Sequence, residues 1–107
     1  MTIRPGTLAA ALYGVESAEE DFFCSYGVNP AWAERLEAGG LRVSGTGDAG
    51  EMRIVELPGH PFFVPTLFLP QARSTAEAPH PVLRGFAAAA GAYASRRSPE
   101  KGAGARV

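Results

Sequence analysis

The most apolar run of the chain reads Pro58-Gly59-His60-Pro61-Phe62-Phe63-Val64-Pro65-Thr66-Leu67-Phe68-Leu69-Pro70-Gln71. Proline marks both of its ends, and a short apolar run bounded by turn residues is typical of a buried strand that leaves the sheet into a loop. We therefore predict a strand over residues 62–69. Because Pro65 has no N–H to donate to a sheet ladder, it should lie at an edge or a bulge of the sheet.

A β-hairpin is predicted immediately before this run. Residues 41–44 and 51–54 alternate apolar and polar side chains, and the glycine-rich residues 45–50 lie between them. Two alternating segments with such a connection are typical of a hairpin, and its second strand should continue to Leu57. The Gly-x-Gly at residues 45–47 lacks the strand–loop–helix context of a nucleotide-binding loop, so we interpret it as a plain turn.

The other predicted elements are a strand at residues 22–28 and helices at residues 7–13, 30–38 and 81–95. Thr7 and Asn29 can accept hydrogen bonds from the free N–H groups of a first helical turn, and a proline at the first helical position loses no hydrogen bond. Trp32 and Leu36 are four residues apart on one helical face and are expected in the core. The last helix should present one apolar face, made by Leu83, Phe86, Ala90 and Tyr93.

Composition limits the classes of function. The chain has 107 residues, a formal net charge of −1 and one cysteine, Cys24. We expect one domain at residues 1–94 and a disordered, polar tail at residues 95–107. The charge argues against nucleic-acid and membrane partners, and no apolar segment is long enough to span a bilayer. Since a lone cysteine cannot form an internal disulfide, a cytoplasmic location fits best.

Acidic side chains occur as a run at residues 19–21 and again at Asp48, Glu51 and Glu56. No spacing among them suits general acid–base catalysis, and charge runs are usually solvated, so we expect these carboxylates to be exposed. One cysteine and two widely spaced histidines supply too few ligands for zinc. Neither a metal nor another cofactor is therefore expected.

Four segments, in chain order, resemble the class I glutamine amidotransferase domain in the form carried by CTP synthase. They are Tyr26-Gly27-Val28-Asn29, Leu36-Glu37-Ala38-Gly39-Gly40-Leu41-Arg42-Val43-Ser44-Gly45, Ile54-Val55-Glu56-Leu57-Pro58-Gly59-His60-Pro61-Phe62-Phe63-Val64 and His80-Pro81-Val82-Leu83-Arg84-Gly85-Phe86. The likeness covers about residues 7–93 and is closest to a group described as related to the CTP synthase C-terminal region. It implies an α/β fold, the C-terminal half of a flavodoxin-like amidotransferase domain with a β-hairpin and a C-terminal helix.

The resemblance also implies that catalytic residues of the family are replaced. Phe68-Leu69-Pro70-Gln71 resembles the family's Phe-His-Pro-Glu, in which His is the general base for a cysteine nucleophile and Glu orients the His. Leu69 cannot accept a proton, and Gln71 carries no charge. The family's arginine for the substrate carboxylate corresponds to Ser25. Because a thiol without a base is poorly activated, we do not expect this chain alone to hydrolyse glutamine.

Three hypotheses about function follow. The first is a catalytically degenerate subunit or scaffold that associates with a second copy or with a partner chain supplying the first half of the domain, since half a domain leaves apolar surface uncovered. The second is a small transferase or hydrolase that reuses the former glutaminase pocket. Its candidate residues are Cys24 as nucleophile, with Ser25, Tyr26, Asn29 and His60 for binding. The third is a truncated fragment of a CTP synthase-related protein.

Overall fold

The computed structural model describes residues 1–22 and 27–104, with side chains described as far as residue 96. Its elements are β1 (Thr2–Ile3), α1 (Leu8–Tyr13), a first 3₁₀ turn (Pro30–Trp32), α2 (Ala33–Ala38), β2 (Arg42–Thr46), β3 (Met52–Glu56), a second 3₁₀ turn (Pro70–Arg73) and α3 (Pro81–Gly104). The predicted α/β class, hairpin and C-terminal helix are confirmed. The strand predicted at residues 22–28 falls largely on residues 23–26, which lie outside the described residues.

The three strands form an antiparallel sheet in the order β1-β2-β3. In the hairpin Val43 pairs with Val55, and a shift of register then pairs Gly45 with Ile54. A Cβ atom on Gly45 would lie 2.8 Å from Cγ1 of the buried Ile54, so this position favours glycine. The alternation of side chains therefore predicts the hairpin correctly but does not indicate this bulge.

Residues 63–68, which we call the edge segment, run antiparallel to β3 on its free side. Three backbone hydrogen bonds hold it there: Leu57 N–H to Phe63 O at 3.2 Å, Val55 N–H to Pro65 O at 3.0 Å and Leu67 N–H to Arg53 O at 2.9 Å. The prediction of a regular strand over residues 62–69 is wrong, because a single bridge, between Ile54 and Thr66, is formed. Proline cannot donate to a ladder, and Pro65 lies at the sheet edge as predicted.

Apolar side chains pack in two clusters on opposite faces of the sheet. Ile54 and Val55 are neighbours on β3, so their side chains point to opposite faces. The first cluster contains Ile3, Ala9, Ile54 and Phe68, with Val64 packed against it. The second cluster contains Val43, Met52 and Val55, with Leu36 and Leu67 packed against it. The sheet is thus covered by α1 on one face and by α2 on the other.

Both predicted helix caps are present. The Thr7 hydroxyl accepts a hydrogen bond from the Ala10 amide at 3.1 Å, and Gly14 ends α1 with a φ of +72°, a conformation that suits glycine. Asn29 Oδ1 accepts a hydrogen bond from the Ala31 amide at 3.0 Å. The local sequence therefore determines where these helices begin.

Trp32 does not lie in the core, although the sequence predicts it there. It is 50% exposed, and the Arg35 guanidinium lies 4.8 Å from its ring centre. Trp32 ends the first 3₁₀ turn and lies before α2, which begins at Ala33, so the predicted helix does not run unbroken through Trp32. Leu36 alone packs against the second cluster.

Glu56, at the end of β3, is 4% exposed and contradicts the expectation of a solvated side chain. Its carboxylate accepts hydrogen bonds from the amides of Leu8 at 3.0 Å and Ala9 at 2.6 Å, in the first turn of α1. These amides have no partner inside the helix, and a negative charge is favourable at a helix N-terminus. Glu56 therefore fastens α1 to the sheet.

Helix α3 packs on the domain through its first turns. Val82 is buried, and a Cβ atom on Gly85 would lie 2.4 Å from Cδ2 of Leu12, so glycine permits the close approach of α3 to α1. The predicted apolar face is partly exposed: Leu83 and Phe86 are 37% and 58% exposed, and the ring of Phe86 contacts the ring of Phe62 at 5.8 Å. Tyr93, predicted on the same face, is 52% exposed.

Helix α3 continues to Gly104, beyond its predicted end near residue 95. Alanine, arginine, lysine and glutamate, which make up much of residues 87–101, all favour helix. The division of the chain at residue 94 into a domain and a tail stays a prediction. In the described part of the chain, no helix combines the length and apolar character needed to cross a bilayer.

Replacing Glu56 by alanine should lower the free energy of unfolding by about 3 kcal/mol, because two amides lose a charged acceptor in a buried place. Urea unfolding of the purified chain measures this. The matched control is Glu34→Ala on the exposed side of α2, which should change the free energy by less than about 0.5 kcal/mol. Equal effects of the two substitutions would contradict the capping role of Glu56.

Candidate functional site

The two residues at the predicted triad positions lie at the end of the edge segment. Leu69 directly precedes the second 3₁₀ turn and is 45% exposed. Gln71 lies within that turn and is also exposed, and Arg73 at its end forms an ion pair with Asp21 at 3.6 Å. An aliphatic side chain and a neutral amide offer no group that takes a proton from a thiol.

The structure brings few of the other predicted site residues together. Cys24, Ser25 and Tyr26 lie outside the described residues. Asn29 caps the first 3₁₀ turn, and His60 is exposed, with its Nδ1 accepting a hydrogen bond from the Phe62 amide at 3.1 Å. Within the described residues no hydrogen bond or ring contact joins His60 to Asn29 or to Leu69. Their predicted binding role stays a prediction.

Sequence reasoning missed a buried polar cluster of Tyr13, Glu20 and His80. Oε2 of Glu20 accepts hydrogen bonds from the Tyr13 hydroxyl and from Nε2 of His80, both at 2.5 Å. The side chains of Glu20 and His80 are 2% and 3% exposed. The expectation that the acidic run at residues 19–21 is solvated is therefore wrong for Glu20, whose partner lies 60 residues away in sequence.

The hydrogen bonds of His80 define where its proton lies. Nδ1 accepts a hydrogen bond from the Val82 amide at 3.0 Å, so Nε2 carries the proton that is donated to Glu20. Burial, followed by the hydrogen bond to Glu20 and its negative charge, raises the pKa of the Tyr13 hydroxyl far above its ordinary value. The Tyr13 hydroxyl therefore keeps its proton at neutral pH.

The cluster supports the end of the edge segment, directly before Leu69. The His80 amide donates to the Ser74 hydroxyl at 2.9 Å, and its ring lies 6.1 Å from the ring of Phe68. The ring of Phe22 contacts Phe68 from another side at 5.9 Å. The cluster thus joins α1, the start of α3 and the edge segment, and its role is structural.

A cleft of about 290 Å³ opens beside this cluster. It is lined by Met1, Glu19, Glu20, Phe22, Gly47, Asp48, Glu51 and Arg53. Glu51 forms an ion pair with Arg53 at 3.0 Å, and hydrogen bonding to its own backbone amide, together with Arg53, holds the pKa of Glu51 below its ordinary value. The Arg53 guanidinium in turn lies over the Phe22 ring at 3.9 Å.

Within the described residues no group of acidic, His and Cys side chains is arranged to hold a metal.

Comparison with known proteins identifies similar sequences and similar solved structures. The CTP synthase of Rubrobacter xylanophilus is 47% identical over 88 residues, and that of Archaeoglobus fulgidus is 45% identical over 94 residues. These matches cover 81% and 87% of the chain but 16% and 18% of the relatives, so the chain spans about one sixth of their length. No family model matches the chain.

Among the similar structures is the glutaminase domain of Trypanosoma brucei CTPS with bound acivicin. It superposes with a TM-score of 0.75 at 30% sequence identity. The match covers 83% of this chain and 36% of that one. The resemblance inferred from the four sequence segments is confirmed by these findings.

The Tyr13→Phe variant tests the buried cluster. It should lower the free energy of unfolding by about 1 kcal/mol at pH 8, since Glu20 loses one hydrogen bond. Because the Tyr13 pKa is raised above the ordinary 10.0 in the folded state, its contribution is complete below pH 10 and is lost as the pH rises further. The original chain and the variant should therefore differ less in free energy of unfolding as the pH rises above 10, as measured by chemical unfolding. Parallel stability curves would contradict this.

Proposed function

Because the chain is a relative of the glutamine amidotransferase domain of CTP synthase, we propose that it is a catalytically degenerate form of that domain which works by association with another polypeptide. One observation carries this proposal. Leu69 and Gln71 stand where the resemblance implies a general base and its orienting acid, and neither side chain takes a proton or carries a charge. The surrounding scaffold, from β3 to the start of α3, is kept.

Neither histidine of the chain replaces the absent base. His80 is buried, and both of its ring nitrogens are used in hydrogen bonds to Glu20 and to the Val82 amide. His60 lies on an exposed turn before the edge segment, with Nδ1 bound to the Phe62 amide. Loss of a central member of a catalytic triad costs on the order of a million-fold in turnover. Glutamine hydrolysis is therefore not the function that we propose.

Association is supported by large apolar side chains that stay exposed in the described part of the chain. Phe63, Leu69 and Phe86 are 41%, 45% and 58% exposed. Where such side chains form a patch, they mark a surface on which another protein can pack. In the T. brucei glutaminase domain the matched region is 36% of the chain, so the corresponding surfaces there belong to a longer polypeptide. The partner that we propose is a polypeptide equivalent to the remaining part of that domain, and we propose a cytoplasmic location.

Purified chain incubated with glutamine should release no more ammonia than buffer does, because no general base is available. The T. brucei glutaminase domain provides the positive control. Turnover within about a thousandfold of that control would contradict degeneracy, since triad loss is far more costly than that.

The Cys24→Ala variant separates association from the alternative, a small enzyme with Cys24 as nucleophile. Association predicts an unchanged mass by light scattering and an unchanged thermal transition, because the substitution removes a single sulfur atom. The enzyme hypothesis predicts that any transferase or hydrolase activity of the chain is lost. Cys24→Ser serves as the matched control, since it keeps the size of the side chain but replaces the thiol.

A further inference from the structure

The outer side of the edge segment carries backbone groups that point away from the sheet. In an antiparallel pair, alternate residues bond to the neighbouring strand. Phe63, Pro65 and Leu67 bond to β3 or to the turn after it, so the N–H and C=O groups of Val64 and Thr66 face outward. Within residues 1–22 and 27–104, no backbone group bonds to them. The sheet therefore has an open edge at this segment.

The edge segment makes apolar contacts on both faces of the sheet. Val64 packs against the first cluster and Leu67 against the second, and both side chains are partly buried. Natural edge strands are commonly protected by charges, prolines or bulges. Residues 61–70 contain no charged side chain, and Pro65 faces β3, so it does not block the outward groups of Val64 and Thr66. The outer side is therefore open to a neighbouring strand.

Apolar side chains border this edge at both ends. Phe63 is 41% exposed and Leu69 is 45% exposed. The ring of Phe62 contacts the ring of Phe86 on α3 at 5.8 Å, and Phe86 is 58% exposed. A polypeptide that pairs with the edge can therefore also cover apolar surface on either side of it.

We propose that the open edge at Val64 and Thr66 receives an extended, apolar strand of a second polypeptide, the counterpart of the remaining part of the glutaminase domain. This rests on the proposed function and names the surface through which the association takes place. The matched region makes up 36% of the T. brucei domain, so most of that domain is available to supply such a strand.

A second copy of this chain would bind the open edge less tightly than such a partner. Symmetric pairing of two edges would join just Val64 and Thr66 of each copy, because these are the outward-facing residues. A contact so short falls below the roughly 1,000 Å² that a stable interface needs. A partner that also covers Phe63, Leu69 and Phe86 buries more apolar area.

The test uses Thr66→Pro and its matched control Thr66→Val. Both substitutions remove the Thr66 hydroxyl, which donates to the Phe68 carbonyl at 2.9 Å, but only Thr66→Pro removes the outward N–H. The probe is the T. brucei glutaminase domain without its matched region, co-expressed with the full chain and then analysed by light scattering and titration. We expect the original chain and Thr66→Val to bind the probe, and Thr66→Pro to bind about tenfold more weakly or worse.

Each other outcome overturns the proposal in a different way. If Thr66→Pro bound the probe as tightly as the original chain does, the edge would not be the docking surface, but the proposed function would be unaffected. A homodimer that Thr66→Pro dissociates would make a second copy the occupant. A cooperative monomer that binds no probe would overturn association itself, and with it the proposed function.

If Thr66→Pro does not fold, amide hydrogen exchange of the original chain tests whether the edge at Thr66 pairs with the probe. In the free original chain the Thr66 amide should exchange fast and the Leu67 amide slowly, because of these two amides that of Leu67 donates a hydrogen bond to β3, at the Arg53 carbonyl. Addition of the probe should slow the Thr66 amide at least about tenfold. An unchanged rate in the presence of bound probe would overturn the pairing.

Discussion

The carboxylate of Glu56 is the interaction on which the arrangement of this domain depends. It ends β3 and receives the first two amides of α1, so a short helix that would be marginal alone is fixed on the sheet. From that helix Tyr13 reaches the buried cluster with His80, and Leu12 meets α3 at Gly85. The Glu56 carboxylate therefore positions α1, and α1 in turn positions α3.

Scaffold and chemistry are separated in this chain. The buried cluster of Glu20, His80 and Tyr13 holds Phe68 at the end of the edge segment, and Phe68 is 4% exposed. The next residue, Leu69, is half exposed and inert. Packing around this position stabilises the domain irrespective of catalysis, and the proposed degeneracy rests on the chemistry of Leu69 and Gln71 alone.

The uncovered surfaces agree with the limited share of the relatives that the chain matches. The edge segment packs against both clusters yet is unpaired along its outer side within the described residues, and Phe86 on α3 is 58% exposed. Such surfaces expose apolar area or backbone polar groups that another polypeptide can cover. Both features support the proposed association.

The sequence by itself determined the local features and the family likeness. Caps at Thr7 and Asn29, the hairpin and the start of α3 follow from residues a few positions apart, and side-chain chemistry at Leu69 and Gln71 is readable without coordinates. Which carboxylates are buried was decided by the tertiary structure alone. Glu20 and Glu56 look like surface in sequence, but their partners lie 60 and 48 residues away, and burial of a charge depends on such distant partners.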